Sequence, residues 1–271
     1  MKTPSRRTVL KTGVAALGAV AASNVLAVPR IPGETRVLLL LGDYWHNGVA
    51  QESHWRRVLA PAGFRLMFAQ SSQFVTPEAL DLADLFIVER YAGPDSLGWV
   101  PKGIIEDRPG GAPWMTVAQE DAIVANVQRG MGLISMHCSI WNPESTKYMA
   151  LLGVEKPLMH GPVQHVKIHD INQNHPISQG IEDFDITLDE NFGAELIPDK
   201  QTLLYKSTGQ QDNRTDNAAW CREEGKGRAV VLLFGHLPQP FHTKAAKQLM
   251  WRSAHWAMKR DIPPENLDSG Y

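Results

Sequence analysis

From residue 36 onward, the chain alternates short apolar runs with longer segments in which apolar residues recur at helical spacing. The apolar runs predict strands buried on both faces of a sheet at residues 36–41, 64–68, 84–88, 133–136 and 228–234. The periodic segments predict helices at residues 48–60, from 76, 116–129 and about 243–258. Because strands that alternate with helices form a covered parallel sheet, the pattern predicts a doubly wound, mostly parallel α/β fold.

Two segments interrupt this alternation. Residues 91–115 hold five glycines, four prolines, Trp99 and Trp114, and they show no clear periodicity. Irregular segments of this length are uncommon unless they are functional, so we expect a lid or pocket wall; a solvated insertion is the alternative. Residues 160–204 combine strand-like alternation with turn residues, and this β-rich region is expected to extend the sheet or fold over its rim.

The first 27 residues have the features of a secretory signal: a basic start, a short apolar run and a small-residue exit. The apolar run is too short for the roughly 20 residues of a membrane span, so no stable membrane insertion is expected after cleavage. The segment Ser5-Arg6-Arg7-Thr8-Val9-Leu10-Lys11 resembles a twin-arginine signal, with Val9 where Phe is usual. A general secretory signal is the alternative. Either predicts a periplasmic or secreted protein whose single domain spans residues 28–271.

The charge balance excludes a general affinity for nucleic acid. The whole chain carries 27 basic and 29 acidic residues, and cleavage after Ala27 would leave 23 basic and 29 acidic residues, a net charge of −6. Two cysteines, Cys138 and Cys221, cannot make a disulfide framework, and their sequence positions do not decide whether they pair with each other.

Three histidines directly follow predicted strands. His46, His137 and His236 come after the first, fourth and last of the apolar runs. Ligands of open parallel sheets bind at the carboxyl ends of the strands, so these side chains are expected to share one pocket. Glu190 follows another predicted strand, and His160 lies in a loop that could reach the rim. His165, by contrast, is predicted to lie on a solvated strand face.

Cys138 lies at a sharp strand-to-helix transition, where hydrolases of the nucleophile-elbow type present their reactive residue. Such an elbow needs glycines two residues on either side, whereas Cys138 has Met136 and Ile140 there. The apex is better aligned with His137, so a cysteine hydrolase is disfavoured.

Several motifs, taken in order, resemble the ThuA-like (trehalose utilisation) family. They are Gly42…His46, the segment 130–137, His160-Gly161, His175-Pro176-Ile177, Asp189-Glu190, Trp220, the segment 225–228 and Gly235-His236. The resemblance covers residues 36–259. It implies the class I glutamine amidotransferase-like fold, a flavodoxin-like doubly wound sheet, with His137 in place of the amidotransferase cysteine nucleophile and His236 at the position of the amidotransferase histidine. It also implies a carbohydrate substrate, because the family is associated with disaccharide and glycoside catabolism, including pathways through 3-keto-sugars.

These observations predict an enzyme that acts on a keto-sugar or glycoside by proton abstraction, leading to elimination, isomerisation or hydration. The predicted catalytic residues are His137, His236 and Glu190. One divalent metal ion of unknown identity is expected on His46, His137, His236 and Glu190. Substrate contacts are expected from Tyr44, Trp45, Arg90 and His160. The main alternative is a non-catalytic carbohydrate-binding or accessory protein, and a weaker one is a hydrolase that uses Cys138.

Overall fold

The computed structural model describes residues 31–69, 71–93, 113–142 and 144–265. Within these ranges the strands are β1 (Arg36–Leu41), β2 (Arg65–Ala69), β3 (Leu85–Glu89), β4 (Gly132–Met136), β5 (Val154–Leu158), β6 (Val163–His169), β7 (Phe184–Glu190), β8 (Gly193–Leu196), β9 (Thr202–Gly209), β10 (Thr215–Glu224) and β11 (Gly227–Leu232). The helices are α1 (Gly48–Leu59), α2 (Pro77–Asp81), α3 (Val117–Arg129), α4 (Thr146–Leu152) and α5 (Lys244–Ala257).

Nine strands form one sheet in the order β2-β1-β3-β4-β11-β10-β9-β6-β7. The first five are mutually parallel, and β1, β3 and β4 are buried along their whole length, which is why they appear in the sequence as uninterrupted apolar runs. The predicted α/β fold is therefore confirmed, with strand positions within one or two residues of those expected.

The second half of the sheet is antiparallel. The long strand β10 pairs with β11 and β9, and β6 joins β9 to the outermost strand β7. The β-rich region after residue 160 thus extends the sheet, one of its two expected arrangements. In β6, exposed and buried residues alternate, so His165 lies on a solvated face as predicted. Strands β5 and β8 pair separately as a two-stranded sheet.

Helices cover the parallel half from two sides. The chain moves outward from β1 to β2 and then back across to β3, so right-handed connections place α1 and α2 on opposite faces. Helix α5 packs with α1, whereas α3 packs with α2 and α4. The described residues from Thr35 onward form one compact unit, and the predicted signal peptide lies outside the described residues. Within the described ranges, no helix is both long and apolar enough to cross a bilayer.

Because these five strands run in the same direction, one edge of the sheet holds the carboxyl ends of β1, β3, β4, β7 and β11. Four successive antiparallel pairings separate β11 from β7, so β7 runs in the same direction as the central strands. The residues that follow these five strands are therefore available to build one site.

Candidate functional site

His46 is carried by the short loop between β1 and α1. At the start of the loop, Gly42 has a φ of 74°, and a Cβ atom there would lie 2.6 Å from the Cα atom of Gly48. This close approach requires glycine and keeps the loop tight. Asn47 ends the loop by capping α1, since its side chain accepts the backbone N–H groups of Val49 and Ala50. His46 is thereby held between two fixed elements.

His137 lies at the apex of the turn that follows β4. Its φ is 49°, a left-handed conformation unusual for a residue other than glycine, and its side chain is completely buried. Among the described residues, neither ring nitrogen has a hydrogen bond of good geometry, and the ring makes only weaker polar contacts, with the backbone of Leu233 and with Glu190. Burial, followed by the proximity of His46 and His236, holds the pKa of His137 well below its usual value. The ring is therefore neutral and carries an unshared lone pair.

His236 lies in the loop after β11, and the outermost strand of the sheet fixes that loop. The carboxylate of Asp189, in β7, accepts the backbone N–H groups of Gly235 at 2.8 Å and His236 at 2.9 Å. In a flat sheet, four strand spacings would separate β7 from β11 by roughly 19 Å. The antiparallel half must therefore curl back over the strand ends, which brings Glu190 beside the histidines.

Within this cluster, His137, Glu190 and His236 each offer a donor atom within 4.8 Å of the other two, and His46, His137 and Cys138 form a second such group. His46 Nε2 is 3.2 Å from His236 Nδ1, and Glu190 Oε2 is 3.3 Å from His236 Nδ1. Glu190 Oε2 also lies 3.5 Å from His137 Nε2. Two donors about 2.1 Å from a shared ion would be about 3.0–3.4 Å apart. The three ring centroids lie 5.0–5.5 Å from one another, so the histidines cluster, although only His46 and His236 of the three line the cavity. The residues present thus fit a divalent cation.

A cavity of about 480 Å³ opens in front of the cluster. Its lining is mostly aromatic and histidine side chains: Trp45, His46, Tyr91, Cys138, Trp141, Met159, His160, Glu190, Phe192 and His236. The ring of His160 stacks on Phe192 with 4.9 Å between centroids, and its Nδ1 lies 2.7 Å from the carbonyl oxygen of Gly161 and 3.2 Å from Glu190 Oε1. His137 is not among the described lining residues, because it lies behind them.

The residues predicted to contact substrate divide into two groups. Trp45 and His160 line the cavity. Tyr44 does not line it but lies exposed beside it, edge-on to Trp45. Arg90 is buried, and among the described residues its guanidinium donates to the carbonyl oxygens of Tyr91 and Gly93 instead of reaching the lining. Of the predicted pocket wall, Tyr91 lines the cavity, whereas residues 94–112 lie outside the described residues.

Cys138 follows the apex residue and does not occupy it. Its sulfur lies 3.6 Å from both ring nitrogens of His46. Burial, together with the carboxylates of Asp43, Glu89 and Glu190, raises the pKa of this thiol well above its usual value, which disfavours a nucleophilic thiolate. Both cysteines are free thiols, which answers the question of pairing.

Sequence reasoning did not identify the two carboxylates that support the site. Asp43 contacts the ring of His46, and its position three residues earlier in the same loop was an available signal. Asp189 precedes Glu190 in the sequence, but its hydrogen bond from the backbone N–H of His236 is formed only in the folded sheet. Nothing in the sequence indicated that Trp141 and Phe192 line the cavity.

The sheet order and the strand-end site define an α/β protein with the glutamine amidotransferase-like fold. A family model described as trehalose utilisation (ThuA) matches residues 36–257, and the chain therefore belongs to the ThuA family. This confirms the resemblance drawn from the sequence motifs.

Solved structures show the same fold at low sequence identity. A ThuA-like protein of Parabacteroides merdae ATCC 43184 is 17% identical, with a TM-score of 0.63 over 86% of this chain and 92% of that one. A ThuA-like protein of Bacteroides uniformis ATCC 8492 is 14% identical, with a TM-score of 0.62 over 85% and 94%. A cytoplasmic protein of Salmonella typhimurium LT2 is 12% identical, with a TM-score of 0.54 over 82% and 99%. A comparison with curated proteins found no match.

Proposed function

We propose that this protein is an exported enzyme of carbohydrate catabolism that acts on a keto-sugar or glycoside by proton abstraction, assisted by one divalent cation. The observation that carries the proposal is the arrangement around His137. A fully buried imidazole, whose polar contacts among the described residues are only with the backbone of Leu233 and with Glu190, lies with Glu190 and His236 in a group of three donors close enough to share one ion. Buried polar groups are rarely left unsatisfied, and a cation would satisfy this one.

The donor set favours a particular class of cation. Three imidazoles and one carboxylate, from His46, His137, His236 and Glu190, suit Zn²⁺ and neighbouring transition metals better than Mg²⁺ or Ca²⁺, which prefer oxygen ligands. A bound cation of this class would polarise a carbonyl oxygen of the sugar.

Position relative to the cavity supports different proposed roles for the predicted catalytic residues. A base must reach the substrate, so His137, which does not line the cavity, holds the cation and does not take the proton. Glu190 and His236 do line it. A His236 ring that holds the cation through Nδ1 carries its proton on Nε2 and cannot accept another, so Glu190 accepts the proton from the carbon next to the sugar carbonyl. The electron pair of the broken C–H bond then moves onto the carbonyl oxygen. Delivery of this proton to the former carbonyl carbon, with transfer of the hydroxyl proton of the first carbon to the former carbonyl oxygen, gives an isomer. Expulsion of the glycosidic oxygen, which takes up the abstracted proton, gives elimination, and addition of water to the resulting double bond gives hydration.

The aromatic walls support a carbohydrate ligand. Trp45, Tyr91, Trp141 and Phe192 offer flat apolar surfaces that suit the apolar faces of pyranose rings, and the histidines and Glu190 offer hydrogen-bonding groups on the floor. The same walls also suit the alternative, a carbohydrate-binding protein without catalytic activity.

Elemental analysis and a substrate screen test the proposal together. The purified protein should contain close to one transition-metal ion per chain, and it should release or exchange the carbon-bound proton of an oxidised disaccharide in D₂O. His137→Ala should lose the metal and at least 100-fold of the activity, whereas His165→Ala, on the solvated face of β6, should retain both. A metal-free protein that binds sugars without exchanging protons would instead support the binding protein. Activity lost in Cys138→Ser but not in His137→Ala would support the cysteine hydrolase.

Export is proposed to follow the twin-arginine route. Replacing Arg6 and Arg7 by lysine should leave the precursor in the cytoplasm, because that route requires the arginine pair. Cell fractionation and immunoblotting measure the outcome, and continued export of the double variant would assign the signal to the general secretory route.

A further inference from the structure

The carboxylate of Asp43 is nearly inaccessible to solvent and is surrounded by N–H groups. Only 3% of its side chain is exposed. Both carboxylate oxygens lie 2.8 Å from His46 Nδ1, and Oδ1 also accepts the backbone N–H groups of Trp45 at 2.7 Å and His46 at 3.1 Å. Oδ2 accepts the backbone N–H of Tyr91 at 2.6 Å. One carboxylate thus joins the loop after β1 to the loop after β3.

The contact with His46 selects one tautomer of that ring. An ionised carboxylate accepts hydrogen bonds and cannot donate them, so Nδ1 must carry the proton. Both oxygens of Asp43 already accept backbone N–H groups, from Trp45, His46 and Tyr91, so the carboxylate acts as an acceptor toward the ring as well. The lone pair of His46 therefore resides on Nε2, the atom that lies 3.2 Å from His236 Nδ1 in the donor cluster.

The two backbone contacts fix two parts of the cavity wall. Trp45 and Tyr91 both line the cavity, but they belong to loops that follow different strands. Each has its backbone N–H bound to Asp43. Asp43, which orients the proposed cation ligand His46, therefore also fixes the backbone positions from which the side chains of Trp45 and Tyr91 extend.

We propose that Asp43 is the positioning residue of this site, which fixes the Nδ1–H tautomer of His46 and ties the Trp45 and Tyr91 loops together. The inference rests on the proposed function for the meaning of His46 as a ligand. Carboxylates that accept the second N–H of a metal-bound histidine typically contribute 10–100-fold to metal affinity, so a change of this size is expected when the carboxylate is removed.

The test compares Asp43→Asn with Asp185→Asn. Asp185 supplies a matched control, because its carboxylate also contacts a histidine, His165 Nε2 at 3.0 Å, but on the exposed face of the sheet. Zn²⁺ affinity of the full chain is measured by competition with a chromogenic chelator. Asp43→Asn should bind Zn²⁺ 10–100-fold more weakly than the unaltered protein. Asp185→Asn should stay within about twofold, since exposed pairs contribute little.

Nuclear magnetic resonance provides a readout that does not depend on the metal. In the metal-free unaltered protein, the ¹⁵N shifts of His46 should report the Nδ1–H tautomer, and the amides of Trp45 and Tyr91 should exchange slowly with solvent. In Asp43→Asn, the tautomers should mix and both amides should exchange faster. An Nε2–H tautomer in the unaltered protein, or unchanged Zn²⁺ affinity in Asp43→Asn, would overturn the inference even if Asp43→Asn folds poorly. Failure of the unaltered protein to bind Zn²⁺ would overturn the proposed cation site instead, while the tautomer would still test the role of Asp43.

Discussion

At the scale of single residues, His137 combines an unfavourable backbone conformation with a poorly hydrogen-bonded side chain. A left-handed conformation costs a residue other than glycine about 1–2 kcal/mol, and His137 adopts it with a φ of 49°. Its ring adds a buried polar group that has only weak polar contacts among the described residues. Both features oppose stability, and such features concentrate where function requires them. They are expected at a residue that holds a ligand.

The backbone strain at His137 leads to a prediction about two variants that lack the ring. His137→Gly should unfold at a higher urea concentration than His137→Ala, with a free energy of unfolding higher by about 1 kcal/mol, because glycine adopts a positive φ without a steric penalty. The comparison cancels the loss of the imidazole, which the two variants share. A more stable His137→Ala would show that the turn does not impose the left-handed conformation.

At the scale of elements, the curl of the antiparallel half completes the site. Strand β7 is the outermost strand of the nine, yet Asp189 binds the backbone of the loop after β11. Irregular pairing accompanies the bend, with register shifts between Gln164 and Val166 in β6 and between Asn217 and Ala219 in β10. Bulges of this kind increase the local twist and bend a strand.

The contact between Asp189 and the loop after β11 can be tested with an isosteric substitution. Asp189→Asn should lower the free energy of unfolding by about 1–3 kcal/mol, because an amide offers only one oxygen to the two N–H groups of Gly235 and His236. Asp185→Asn, on the exposed face of the same strand, should have almost no effect. Urea denaturation measures both. Equal stability of the two variants would mean that the loop after β11 is fixed by other contacts.

The difference between the two halves of the sheet also explains what the sequence predicted. Strands β1, β3 and β4 are buried on both faces, so almost every residue in them must be apolar, and each appears in the sequence as an uninterrupted apolar run. The same logic located His46, His137 and His236 at one edge. The path of β7 was not predictable, because it depends on bulges and pairings between residues distant in sequence. The role of Asp189 and the burial of Arg90 therefore became apparent only in three dimensions.

At the scale of the whole molecule, a carboxyl group in the core links stability to pH. Glu89, at the end of β3, is completely buried; its Oε2 accepts the indole N–H of Trp55 at 2.8 Å, and the side chain of Gln51 is a second hydrogen-bonding neighbour. Burial raises its pKa from 4.5 to about 8, a shift that the hydrogen bonds with Trp55 and Gln51 only partly oppose. The folded protein therefore keeps a proton at neutral pH that the unfolded chain has lost.

This difference in bound protons sets the sign of the pH dependence. Between pH 4.5 and about 8, the unfolded chain binds fewer protons at Glu89 than the folded protein, so the contribution of this group to stability falls as pH rises. At about 1.4 kcal/mol for each pH unit, the fall has an upper limit of about 5 kcal/mol. Buried histidines act in the opposite direction: burial lowers the pKa of His54 to about 4, so its contribution is lost as pH falls below its unfolded value of 6.5.

A neutral replacement of Glu89 isolates its contribution. Glu89→Gln keeps the shape of the protonated carboxyl but cannot ionise, so the variant should gain stability relative to the unaltered protein as pH rises from 5 to 8 and show a constant difference above that. Urea denaturation of the metal-free protein at each pH gives the free energy of unfolding of both proteins as a function of pH. Subtracting one curve from the other cancels the contribution of the histidines, which the two proteins share. Glu223→Gln, an exposed carboxyl paired with Arg228, serves as the control and should leave the slope unchanged. A slope in Glu89→Gln equal to that of the unaltered protein would show that Glu89 is ionised in the folded state, with its charge compensated inside the core.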